Sequence, residues 1–275
     1  MLYMSYLTQQ QIDELIITLK YIGEEILQIY NTTFEHELKK DKSPLTKADM
    51  LSHNKLTQYL QNKYPNYNII SEEDSSNTIE KNTLSWIIDP LDGTKDFIQK
   101  TDEFSIMIAL LNESNTPIFG CVYLPVSNIF YIAQHNQGAY MLTNNVKTIL
   151  QTSTISQLSK STLVRSRNHF SKQDETISNN LEISKFQPCG SVGVKFGLIA
   201  QGKAELCYYS TSYLGIWDCA AAHIILQESG GEVFTILGNE PTYDLTNKKM
   251  IDGFIGTNGR IDKHIIIKQI SKSTQ

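Results

Sequence analysis

Three features of this sequence predict an alternating α/β layered fold. The first is a set of apolar residues near the amino end that recur at three- and four-residue intervals. The second is a series of short apolar strands between Phe104 and Tyr140, parted by turn residues. The third is an alternation of strand-like and helix-like stretches from Leu163 onward. With 275 residues, 40% of them hydrophobic, the chain can bury a large core as one domain or as two closely packed subdomains, a composition that argues against disorder.

Taken in order, Ile12, Leu15, Ile16, Leu19, Ile22, Ile26 and Ile29 mark an amphipathic helix from about Thr8 to Tyr30 that should cover one face of a sheet. Residues 41–45 form a polar turn, and Thr46-Lys47-Ala48-Asp49 opens a second helix that Pro65 ends. Asn68-Ile69-Ile70 is a short strand leading into Ser71-Glu72-Glu73-Asp74. Trp86 to Ile88 is a buried strand, and Pro90, which has no N–H for a ladder, should stop it. Phe104 to Leu111, Pro117 to Leu124 and Ile129 to Ala133 form a meander, with Ala139-Tyr140 beginning a further strand. The first half is therefore two helices against a mostly antiparallel sheet. The Ser/Thr-rich stretch from Asn144 to Ser161 marks a subdomain boundary, dividing a single 1–275 unit into 1–150 and 151–275. Beyond it come strands at Leu163-Val164, Lys185-Phe186 and Ala204 to Tyr209, helices at Lys172 to Leu181 and Val192 to Ala200, and a helix from Trp217 to Glu228 stopped by Gly230-Gly231. Strands at Glu232 to Ile236 and Gly253 to Gly256 and a helix from Ile261 to Ile270 close the chain.

Charge and cysteine content narrow the function. A net charge of -5 and a pI near 5.7 argue against a general binder of nucleic-acid polymers or anionic membranes, which needs basic surface. Cys121, Cys189, Cys207 and Cys219 are scattered, with no C-x-x-C pair, and read as reduced, packed thiols of a cytoplasmic protein. No apolar stretch approaches membrane-spanning length.

The acidic residues point to chemistry. Asp89-Pro90-Leu91-Asp92-Gly93 places two carboxylates beside one sharp turn, and like charges held so close call for a cation. Glu72 follows another strand, and Asp218 opens the Trp217 helix. Each also has an ordinary structural explanation, as a turn residue, a solvated loop acid or an N-cap; Asp49, likewise, suits the dipole at the start of its helix. As a set, hard oxygen ligands without sulfur or histidine fit Mg²⁺ rather than zinc or copper.

Ser71-Glu72-Glu73, Asp89-Pro90-Leu91-Asp92-Gly93-Thr94, and Trp217-Asp218 followed by a small-residue helix ending in Gly230-Gly231 resemble, in order, the fingerprint of the inositol monophosphatase superfamily. Within it, Pro44 to Asp49, Thr94 to Ile98 and Gly120 to Val126 look most like the bacterial 3′(2′),5′-bisphosphate nucleotidases. The resemblance implies a layered αβαβα sandwich of the inositol monophosphatase/sugar phosphatase type. It further implies a Mg²⁺-dependent phosphomonoesterase acting on adenosine 3′,5′-bisphosphate.

The resemblance also implies individual roles. Glu72, Asp89, Asp92, Asp218 and the Leu91 carbonyl would hold two or three Mg²⁺ ions and border the substrate. Gly93 and Thr94 would present N–H groups to the scissile phosphate, and Thr94 with Asp49 would orient and deprotonate a water. Ser166, His169, Ser191, Gly193 and Lys195 would hold the rest of the substrate, although glycine stands at 193 where many members have serine, and Gly215-Ile216 precedes Trp217 where a charged residue is frequent. The implied partner is a small phosphomonoester; oligomeric state stays open, a dimer included. Rival readings are an inositol monophosphatase or sugar-phosphate phosphatase, and, in another class, a non-catalytic nucleotide-binding sensor.

Overall fold

The structure, a computed structural model, describes residues 6–32, 36–38, 44–74, 78–169, 172–210 and 214–273. Helix α1 (Gln9–Tyr30) starts at Thr8, whose hydroxyl accepts the Gln11 N–H while the Gln11 side chain accepts the Thr8 N–H. Strands β1 (His36–Leu38) and β2 (Pro44–Thr46) pair antiparallel, and α2 (Lys47–Lys63) follows at once. Next come β3 (Asn68–Ser71), β4 (Ser85–Asp92), α3 (Thr94–Gln99), β5 (Ser105–Leu111), β6 (Pro117–Leu124), β7 (Ile129–Gln134), β8 (Ala139–Thr143) and β9 (Val146–Ile149). The chain continues through β10 (Thr162–Ser166), α4 (Lys172–Asn180), β11 (Lys185–Cys189), α5 (Val192–Ala200) and β12 (Leu206–Tyr209). It ends with α6 (Ile216–Glu228), β13 (Glu232–Phe234), β14 (Phe254–Thr257) and α7 (Lys263–Ser273).

Strands β3 to β9 form a seven-stranded sheet in sequence order, antiparallel except for the β3–β4 pair. A five-stranded sheet has the order β11-β10-β12-β14-β13, with its first three strands parallel. Because strand side chains alternate between faces, each sheet can bury both. Trp86, Ile88, Ile106, Ile108 and Phe119 pack with α1 and α2, whereas Ile87, Met107, Val122 and Tyr131 pack with α5 and α6. In the second sheet, Val164, Cys207 and Phe254 join that α5–α6 layer, and Leu163, Leu206, Tyr208 and Ile255 pack with α4 and α7. The layers therefore run α1/α2, seven-stranded sheet, α5/α6, five-stranded sheet, α4/α7: the αβαβα sandwich that the resemblance implied.

Three readings of the sequence need correction. Pro90 does not end its strand; β4 runs through it to Asp92, because the register against β5 shifts between Asp89 and Asp92 and the missing N–H falls in that bulge. The polar stretch from Asn144 contains β9, since Asn144 and Asn145, both at positive φ (49° and 62°), make a tight hairpin turn. Pro44-Leu45, read as part of a turn, belongs to β2, and the rest of that turn, 41–43, lies outside the described residues.

Helix α6, which begins beside the acidic residues, is seated directly on β6. A Cβ added at Gly120 would lie 2.4 Å from Ile224 and 2.8 Å from the Ala221 carbonyl oxygen, so helix and strand touch with no room for a side chain. Gly120→Val should therefore destabilise the fold by about 1–3 kcal/mol, the usual cost of overpacking, read as a fall in the urea midpoint; an unchanged midpoint would show that the layer can yield.

Candidate active site

The bulge in β4 decides where its aspartates point. Residues three apart on a regular strand face opposite ways, but Asp89 and Asp92 pair with Met107 and Ser105, which are two apart on β5 and share a face. Both carboxylates therefore point into the α5–α6 layer, where the amino end of α6 brings Asp218. One oxygen from each of Asp89, Asp92 and Asp218 lies within 4.8 Å of the other two.

Each carboxylate is held by donors of its own. Asp89 accepts the Leu91 N–H at 3.0 Å, and Asp218 accepts the Gly215 N–H at 2.6 Å as part of the α6 cap. Asp92 accepts from the Gly193 N–H (2.9 Å) and from the Ser191 and Ser105 hydroxyls. Burial, then the neighbouring carboxylates, pushes Asp89 and Asp218 well above the ordinary aspartate range. Asp92 is raised by burial too, against the opposing pull of Lys195, Ser191 and Gly193.

Glu72 stands beside this group rather than in it. Its N–H bonds the Ile88 carbonyl at 3.1 Å, it lines the same cavity, and its charge is the largest electrostatic contribution raising Asp89. The chain then turns at Gly93, whose φ of 91° is the left-handed conformation that suits glycine and where a Cβ would meet the Glu103 carbonyl oxygen at 3.0 Å. Thr94, first residue of α3, directs its hydroxyl to Asp49 Oδ1 and to the Leu91 carbonyl oxygen, both at 3.2 Å. Asp49 is buried, and its other oxygen accepts the Thr46 N–H (2.7 Å) and hydroxyl (2.5 Å). Asp49 thus closes the α2 cap and reaches Thr94 at once.

Parallel strands β10, β11 and β12 end on the same side, as do β3 and β4, and the cavity forms at these carboxyl ends, the usual place for a ligand in α/β sheets. Its volume is about 850 Å³. Of the predicted substrate contacts, Ser166 and His169 line it: the Ser166 hydroxyl accepts the His169 N–H at 3.0 Å, and His169 Nε2 lies 3.2 Å from Lys95 Nζ.

Ser191, Gly193 and Lys195 stand just behind this lining, which includes their neighbours Gly190 and Val192. Ser191 and Gly193 face Asp92. Lys195 is buried at 1% exposure, its ammonium donating to the Cys189 and Gly190 carbonyls at the start of α5. A serine at 193 would have no room, since a Cβ there would lie 2.6 Å from Val122 and 2.7 Å from the Ser105 hydroxyl. His223 is buried in α6 2.9 Å from the Tyr243 hydroxyl, and burial pulls its pKa down to about 4.

Sequence reasoning missed Asp96, Asn168 and Lys249. Asp96 is buried and accepts from Arg167, from Asn168 Nδ2 (2.9 Å) and from the Thr101 hydroxyl (2.9 Å), tying α3 to the loop after β10. Arg167 also pairs with Glu103 at 2.8 Å. The motif containing Asp96 and the segment from Ser166 to His169 were both visible, but nothing in either showed that they meet across some seventy residues. Lys249 lines the cavity from a segment with no motif, brought there by an antiparallel bridge with Gly215.

Comparison with known proteins agrees with this geometry. The family model described as "Inositol monophosphatase family" matches residues 8–275. The chain is 33% identical over 247 residues to the 3'(2'),5'-bisphosphate nucleotidase CysQ of Buchnera aphidicola, covering 87% of this chain and 90% of that protein. It is 30% identical over 247 residues to the CysQ of Escherichia coli K12, covering 88% and 98%. Among solved structures, the Thermotoga maritima IMPase TM1415 superposes with a TM-score of 0.82 at 22% identity, covering 97% of this chain and 98% of that one, a likeness of fold. No described helix is long and apolar enough to cross a membrane. The shared fold, the motifs in their order and the matches along nearly the whole chain lead to one conclusion: this chain belongs to the inositol monophosphatase family and is a phosphatase of that superfamily.

Proposed function

We propose that the protein is a Mg²⁺-dependent 3′(2′),5′-bisphosphate nucleotidase that releases phosphate from adenosine 3′,5′-bisphosphate and leaves AMP. The observation that carries the reading is the group of three carboxylates within 4.8 Å, in a cavity that also holds Thr94 and its hydrogen bond to Asp49. The CysQ relatives, at 30% identity or more over most of the chain, support the choice of substrate.

The donor set fits Mg²⁺. It is all oxygen, and it concentrates negative charge that burial makes costly without a cation. Asp89, Asp92 and Asp218, with Glu72 and the Leu91 carbonyl beside them, would hold two or three ions. When bound, the metal lowers the pKa of water and neutralises phosphate charge.

The chain's own groups do the rest. Thr94 Oγ1 takes a proton from the attacking water as its own passes to Asp49 Oδ1; the phosphorus–oxygen bond to the ribose breaks, and the leaving oxygen takes a proton from solvent. Threonine alone is a weak base, and Asp49 is what makes the transfer feasible. The N–H groups of Gly93 and Thr94 hold the phosphate, while Ser166 and His169 border the remainder of the substrate. The cavity draws residues from both halves of the chain, which supports one working unit over 1–275 with 1–150 and 151–275 as its subdomains. Four buried free cysteines suit the cytoplasm.

A panel of phosphomonoesters assayed for released phosphate, with and without Mg²⁺, tests the reading. Preference for adenosine 3′,5′-bisphosphate is expected; equal or better turnover of inositol 1-phosphate moves the protein to the inositol or sugar phosphatases, and binding of the bisphosphate without phosphate release would make it a sensor.

Thr94→Ala should keep the fold and lower kcat by roughly 10²–10⁴, the range for losing a positioned acid–base group, and an unchanged kcat would remove Thr94 from the proton path. A further expectation concerns pH. Asp89 and Asp218 have native pKa values raised by burial and by Glu72 and Asp92, so folding favours their protonated forms. In metal-free protein that stabilisation is present at acid pH and is lost as pH climbs through the raised native values. Since Mg²⁺ binds the ionised set, the Tm gained on replacing EDTA by Mg²⁺ should be larger at pH 8 than at pH 5; equal gains would contradict the assignment of these acids.

A further inference from the structure

A second anionic group on the substrate would be well matched by a cation, and the lysine that the sequence offered does not line the cavity. Lys195 is buried and engaged with two carbonyl oxygens. Arg167 is committed to Asp96 and Glu103. Among the described residues, the lysines that line the cavity are Lys95 and Lys249, and Lys95 already meets His169.

Lys249 differs from Lys95 in standing by a ring rather than a histidine nitrogen. Among the described residues no carboxylate lies within ion-pair distance of it; its ammonium sits 6.0 Å from the centre of the Trp217 ring. Its side chain is exposed, but its backbone is pinned. Lys249 bridges Gly215, the Ile216 N–H bonds the Lys248 carbonyl at 3.1 Å, and the Met250 N–H bonds the Leu214 carbonyl at 3.0 Å. Those partners run directly into Trp217-Asp218, so the backbone sets how far Lys249 stands from the acid group. Glycine at 215 belongs to the same arrangement, because a Cβ there would fall 2.3 Å from the Trp217 ring.

We propose that Lys249 binds the second phosphate of the substrate and so sets the preference for a bisphosphate over a monophosphate; this rests on the nucleotidase reading above. With one phosphate at the acid group, a monoester of an otherwise uncharged alcohol leaves Lys249 unused. A second phosphate on the same ligand meets a compact ammonium on a pinned backbone, a suitable partner for a point anion. In a protein of net charge -5, such a local cation also helps an anionic ligand enter.

The test compares wild type, Lys249→Ala and Lys249→Arg on adenosine 3′,5′-bisphosphate and on adenosine 3′-monophosphate, which has the same scissile ester and lacks the second phosphate. Lys249→Ala should raise KM for the bisphosphate by about tenfold to a hundredfold, as expected for a lost charged hydrogen bond. The ratio of kcat/KM between the two substrates should move towards one, and Lys249→Arg should recover most of the difference. An unchanged KM overturns the proposal, and so does an equal loss on both substrates, which would place the effect at the acid group. If wild type instead favours inositol 1-phosphate, the nucleotidase reading falls alone. The bisphosphate's inhibition constant against that substrate, compared between wild type and Lys249→Ala, then decides Lys249.

Discussion

Repulsion among Asp89, Asp92 and Asp218 is the constraint on which the rest of the molecule depends. Three carboxylates with oxygens inside 4.8 Å, two of them buried, would drive the local structure apart unless something held each in place and something else supplied positive charge. The fold meets the first need with its own donors. Asp92, the middle acid, has an amide, two hydroxyls and the buried Lys195 around it, all but Ser105 from the turn that opens α5. The second need would be met by a bound cation, and an all-oxygen donor set of this kind suits Mg²⁺.

That turn is itself braced. Glu103 accepts the Gly190 N–H at 2.9 Å and pairs with Arg167, which pairs in turn with Asp96. Gly190 lies so close that a Cβ would come within 2.3 Å of the Asp96 carboxylate carbon. The loop after β10, the start of α5 and the short helix bearing Thr94 are thereby locked as one block across the two sheets. The acidic group and Thr94 therefore share a frame, and a small shift in one is felt by the others.

Much of this was legible. The helix from Gln9 to Tyr30 follows its apolar spacing almost to the residue, and β6 and α5 match their expected bounds, because local periodicity and turn residues settle such elements with little help from the rest of the chain. The pairing of Thr94 with Asp49, implied by the resemblance, is present at 3.2 Å. The reading of Pro90 failed because a bulge is a property of two strands, and the partner register cannot be seen from one. The contacts of Ser191 and Gly193 with Asp92 could not be read for a related reason: a helix start rich in glycine with a lysine looks alike whether it faces a ligand or a buried carboxylate.

By itself, then, the sequence determined most of the elements and the acidic set, which rest on local spacing and on motifs of adjacent residues, while the layering was what the resemblance implied. Only the tertiary structure decided that the β4 bulge puts Asp89 and Asp92 on one face, that Lys195 is buried while Lys249 reaches the cavity, and that Asp96 ties together segments some seventy residues apart. Those outcomes depend on which distant backbone lies opposite, through register, bridges and close glycine contacts, and none of these is written in the spacing of side chains along one segment.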